Sequence, residues 1–82
     1  MTTTKRDKTK EQKETEFAVF CIENTAKRLQ ASGDVVYREL ARTGGIESFL
    51  YPSYTTLHTQ SKEYIVDEVL NYIGKHNPTF VK

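Results

Sequence analysis

The sequence predicts an all-α fold: a compact bundle of three main helices plus a short connector helix, with a flexible N-terminal arm. Three observations carry that expectation. Apolar residues recur at i, i+3 and i+4 through separate segments, most densely in "FAVFCIENTAKRL" (17–29) and "YIVDEVLNYI" (64–73). A capping-box signature, "TKEQ" at 9–12, opens the first of them. No alternating apolar–polar run is long enough for a strand, and no repeat is visible. With 82 residues there is room for one small core. The expected division is an arm over 1–10, a single helical domain over 11–77 and a C-terminal tail over 78–82.

The first helix begins near Thr9, whose hydroxyl and the Gln12 side chain satisfy amides that lack an intrahelical partner. Ala18, Cys21, Ile22, Ala26 and Leu29 share one broad face, flanked by Phe17 and Phe20; Glu16, Glu23 and Lys27 group opposite. Gly33 is the expected stop. In the second helix, "DVVYRELART", Asp34 is the expected N-cap, Val36, Tyr37 and Leu40 the buried side, and Gly44-Gly45 the end. "IESFL" then places Ile46, Phe49 and Leu50 at helical spacing, with Pro52 expected to stop it. The last helix is expected to start between Thr56 and Gln60, capped by Thr56 or Thr59, and to run to about Gly74 or Lys75. It buries Ile65, Val66, Val69, Leu70 and Ile73 and leaves Asp67, Glu68 and Asn71 in water. Pro78 excludes further helix and leaves Phe80 and Val81 to dock or fray.

Composition narrows the functional classes. Hydrophobic residues are 37% and charged residues 28%, ordinary for a soluble globular chain, and a net charge of +1 gives no pull toward nucleic acid or membrane. The arm carries Lys5, Arg6, Lys8, Lys10 and Lys13 against Asp7 and Glu11, a mildly basic run that reads as solvated. A single cysteine excludes an internal disulfide, and a free thiol suits a reducing compartment. With no secretory or membrane-spanning apolar run, the expected location is cytoplasmic.

Cysteine, histidine and glutamate together suggest a thiol hydrolase, but helical geometry separates them. Cys21 projects into the apolar face, where burial raises a thiol's pKa, and Glu23 lies about 200° around the helix from it. His58, seven residues before Ile65, is expected on the core side of the last helix, bonding a backbone carbonyl at an "LHT" corner. Cys21, His58 and His76 lack the close ligand pairs of a zinc site. Gly44-Gly45 lacks the lysine and strand of a phosphate loop. The chain is therefore read as non-enzymatic, with no catalytic residue, metal or cofactor.

Two binding signals remain. The second helix, the Gly-Gly turn and the third helix suggest a helix-turn-helix with Lys27, Arg28, Arg38 and Arg42 as phosphate contacts. "IESFLY" argues against it: it has no basic or amide side chain for reading bases and carries Glu47. The other signal is aromatic. Phe49, Leu50, Tyr51, Tyr54 and Tyr64 either roof a small core or form a partner surface. The candidate partner-binding residues are Glu23, Tyr51, Tyr54, His58 and Tyr64.

"FAVFCIE" at 17–23 and "LHTQSKEYIVDE" at 57–68 carry a resemblance to a family of small bacterial proteins of unknown function. That family is marked by an F-x-x-F-C-I-E-like segment and by L-H-T followed by Y-I-V and two acidic residues. The resemblance covers residues 16–73. It implies an antitoxin or accessory role beside an ADP-ribosyltransferase-like protein encoded nearby, and it supplies no catalytic residues. The leading expectation is thus a protein-interaction module whose partner is a neighbouring gene product, with homo-oligomerisation left open. A DNA-binding regulator is the alternative, and a thiol enzyme or redox sensor ranks below it.

Overall fold

The structure, a computed structural model, describes residues 9–80 and is all-helical over them. Its elements are α1 (Lys10–Leu29), α2 (Gly33–Arg42), a π-helical turn (Ile46–Leu50), α3 (Tyr51–Leu57), which continues that turn, and α4 (Lys62–His76). Three main helices and a connector are as expected. Of the arm placed over 1–10, residues 1–8 lie outside the described residues, while Thr9 and Lys10 already belong to α1.

The capping box forms as read. The Thr9 hydroxyl accepts from the Gln12 amide at 3.1 Å, and the Gln12 side chain accepts from the Thr9 amide at 3.0 Å. The other end of α1 differs from expectation. Gln30, not Gly33, takes the left-handed conformation (φ 57°), and the amides of Ala31 and Gln30 reach the carbonyls of Ala26 and Lys27. That pair of bonds is a Schellman closure, which satisfies carbonyls the helix would leave bare. Gly33 becomes the first residue of α2. Ser32 replaces Asp34 as N-cap, accepting from the Val35 amide, and Asp34 pairs with Arg38 one turn on.

Every later element packs against α1. The core joins Phe17, Ala18 and Cys21 of α1 to Val36 and Leu40 of α2, Leu50, Leu57, and Ile65, Val69 and Ile73 of α4. Each large aliphatic side chain fully buried there contributes about 1.5–3 kcal/mol. Tyr37, expected inside, is 50% exposed. The third inward place on α2 belongs instead to Glu39, whose carboxylate Arg42 reaches at 2.5 Å. Leu70 sits at the edge of the α4 face, half-buried. The Thr25 hydroxyl is fully buried and has no hydrogen-bond partner among the described residues, a desolvation cost of about 1–3 kcal/mol.

Pro52 does not stop the connector. A proline removes one helix N–H and crowds the carbonyl four residues back. Here it enters in the first turn of α3, just after the chain has widened to a π turn in which the Tyr51 amide reaches the Ile46 carbonyl. The last helix begins later than expected, with Ser61 as its cap, accepting from the Tyr64 amide at 3.1 Å. It ends at His76, two residues before Pro78, and Phe80 docks half-buried on the core.

The C-terminal end of α4 is locked to the α2–connector turn through Tyr72. Its ring stacks on Phe49 at 4.8 Å, and its hydroxyl donates to Thr43. Gly44 takes φ 76° to make the turn, and Gly45 lies so close to the ring that a Cβ there would meet Tyr72 Cε2 at 2.6 Å. The ring has little room to yield, being stacked on one side and hydrogen-bonded at its tip. Gly45→Ala should therefore lower the unfolding free energy by about 1–3 kcal/mol, measured as a lower urea midpoint at unchanged slope.

Glu39 supplies a second check. The Arg42 hydrogen bond, opposed by burial and aided by the Asn77 side chain and the Arg42 and His76 charges, holds its carboxyl below the ordinary carboxylate value. A depressed folded pKa gives stability that is present above about pH 4.3 and is lost as pH falls through the lower folded value. Melting temperature between pH 7 and pH 3 should fall less steeply for Glu39→Gln than for the native chain. At pH 7 the variant should be the less stable of the two.

Candidate functional site

The most complete site is a cleft of about 310 Å³ where α1, the end of α3 and the start of α4 meet. Phe17, Phe20, Tyr54 and Ile65 give it an apolar lining; Lys13, Glu16, His58 and Gln60 give it polar groups. Its geometry follows from the connector. Leu57 is buried, which anchors the end of α3 and leaves His58 to cap it at the surface. The Gln60 amide then bonds the Leu57 carbonyl at 2.9 Å, turning the chain toward the Ser61 cap.

Within the cleft the rings form a graded series. Tyr54 meets Phe17 edge-on, with centroids 5.6 Å apart at 81°, and stacks face to face with His58 at 4.3 Å and 11°. His58 Nδ1 lies 2.6 Å from the Tyr54 carbonyl oxygen. A carbonyl only accepts, so Nδ1 carries the hydrogen and the neutral ring keeps Nε2 as an acceptor. Phe20 remains 38% exposed beside these rings. The arrangement offers an aromatic surface, one oriented imidazole and mixed charge at the rim, which suits an amphipathic side chain or peptide.

His58 corrects one expectation and meets another. It lies at the end of α3 and is exposed, because α4 starts only at Lys62. The carbonyl bond that fixes the corner is as anticipated. The same device recurs at His76, whose Nδ1 lies 3.0 Å from the Tyr72 carbonyl with the rings 4.3 Å apart. The sequence reading missed both ring pairs, the stacked one at His58 and the tilted one at His76, yet the signal is there: Tyr-x-x-x-His occurs at 54–58 and at 72–76, the spacing of neighbours on a helix.

The other sequence-nominated residues do not converge here. Tyr51 is half-buried and lines a different cleft, with Tyr37 and Glu47. Tyr64 is 47% exposed on the back of α4, and Glu23 is exposed on the outer face of α1. Of the proposed phosphate contacts, Arg28 pairs with Asp67 at 3.1 Å, Arg38 with Asp34, and Arg42 with Glu39. Lys27 is exposed. Carboxylate pairing of three of the four cations weighs against a phosphate-binding face.

Cys21 is fully buried, and burial pushes its thiol up to about 12. It shares the core with Phe17 and Ala18, while His58 stands at the surface and is engaged with Tyr54. Among the described residues no group of three or more His, Cys, Asp or Glu side chains is arranged to hold a metal ion. None of the described helices is long and apolar enough to cross a membrane.

Residues 16–76 match a family described as "protein of unknown function (DUF3791)", and the chain belongs to that family. The match contains both the cysteine segment and the "LHT" corner, and agrees with the sequence resemblance to an uncharacterised family. No curated protein and no solved structure matches the chain.

Placement of the thiol predicts its reactivity. Iodoacetamide at neutral pH should leave native Cys21 unmodified over minutes and label it stoichiometrically in 6 M guanidinium, as read by intact-mass spectrometry.

Proposed function

We propose that this member of a family without an assigned activity is a non-enzymatic protein-interaction module. It acts as an antitoxin or accessory to an ADP-ribosyltransferase-like partner encoded beside it. The observation that carries the reading is the Phe20–Tyr54–His58 cleft, where aromatic surface stays open to solvent. Tyrosine and phenylalanine in a partly desolvated recess are the usual anchors of a protein interface. His58 Nε2 and the side-chain amide of Gln60 supply hydrogen-bonding groups that orient a peptide laid across the rings. Burial of the thiol supports the non-enzymatic side of the reading. The paired arginines favour a protein partner over nucleic acid.

Phe20→Ala and His58→Ala alter exposed side chains and should leave the fold intact. Co-expressed with the product of the adjacent gene, the native chain should co-elute with it on size exclusion and relieve its toxicity. The double variant should lose both properties, at least tenfold in affinity. Independent elution of the native chain, together with undiminished toxicity, would remove the proposal.

A further inference from the structure

A second cleft points to a different ligand chemistry. Tyr37 and Ala41 of α2, Gly44 and Ile46 of the turn, and Glu47 and Tyr51 of the connector enclose about 310 Å³. We propose that this cleft binds a cationic side chain, arginine or lysine, presented by a basic protein segment. The occupant follows from charge complementarity and from the two rings. Cations prefer the faces of tyrosine rings, and a carboxylate at the edge of the same recess adds direct attraction. Tyr37 keeps half its surface in water, next to the buried Val36. Ala41 and Gly44 keep the floor shallow; a Cβ built at Gly44 would meet nothing within 4 Å.

Among the described residues no lysine or arginine lines this recess. The nearby α2 cations are already neutralised within their own helix, Arg38 by Asp34 and Arg42 by Glu39. On its other side Tyr51 shares a further recess with Glu11, Glu14 and Thr15. Glu14 has Lys10 at 3.9 Å, but among the described residues Glu47 and Glu11 have no ion-pair partner. Tyr51 therefore stands between two recesses in which, among the described residues, the charged lining groups are carboxylates. The Phe20 cleft shares no lining residue with either recess, so this inference stands independently of the proposed function.

The test is an NMR titration of the full-length ¹⁵N-labelled protein with hexa-arginine at low salt, with neutral hexacitrulline as the isosteric control. Shifts should concentrate at Tyr37, Ala41, Gly44, Glu47 and Tyr51, and hexacitrulline should produce none. Tyr37→Ala and Glu47→Gln change exposed side chains, and each should raise the Kd about two- to fivefold without altering the melting temperature. Several results would overturn the proposal. They are no binding, equal shifts at the exposed Glu23 and Glu63, equal response to hexacitrulline, or unchanged Kd in both variants. A Lys5→Ala, Arg6→Ala, Lys8→Ala variant that shifts the Tyr37 and Tyr51 signals of the free protein would also overturn it, by making the chain's own N-terminal residues the occupant.

Discussion

The structure depends on the inward face of α1. Phe17, Ala18, Cys21, Thr25 and Ala26 present one apolar surface, and α2, the connector and α4 each find their largest partner in it. The small side chains matter as much as the large one. Alanine, cysteine and threonine let Val36, Leu40, Leu50, Val69 and Ile73 approach the helix closely enough to be fully or almost fully buried. A core of this size has no disulfide to support it, so close packing carries the stability. Within that packing Cys21 acts as a small hydrophobe, and the cost of the buried Thr25 hydroxyl is a local exception.

Polar groups define the ends of the bundle more than its middle. Thr9, Ser32 and Ser61 cap α1, α2 and α4, so each starts at a definite residue. Beyond the end of α2, Tyr72 joins α4 to the turn that follows, and Glu39, Arg42 and Asn77 gather there. The Arg28–Asp67 bridge spans α1 and α4 at the surface, where such pairs contribute at most about 1 kcal/mol.

Both candidate binding surfaces arise from the connector. Its π turn admits Pro52 and lets helix continue to Leu57, and that extra length carries Tyr54 and His58 to the mouth of one cleft. Tyr51, three residues earlier on the same helix, turns toward the other cleft with Tyr37 and Glu47. One segment thus presents aromatic rings in two directions, in settings of opposite character. The first mixes lysine, glutamate and imidazole; among the described residues the second has one charged lining group, the Glu47 carboxylate.

By itself the sequence determined the helices, the capping box at Thr9, the burial of Cys21 and its separation from Glu23. All of these follow from periods and hydrogen bonds within a few residues. It also held the Tyr-x-x-x-His spacing of both ring pairs. Tertiary structure decided what local rules leave degenerate. Gln30 could take the left-handed place because packing set where α1 ends, and Glu39 could enter the α2 face because Arg42 and Asn77 meet its carboxylate. Pro52 stayed within helix because Leu50 and Leu57 both bury against α1, and a wide turn accommodated the ring between them. Those outcomes placed His58 at the surface and divided the tyrosines between two clefts. No short window of sequence contains the contacts that made the choice.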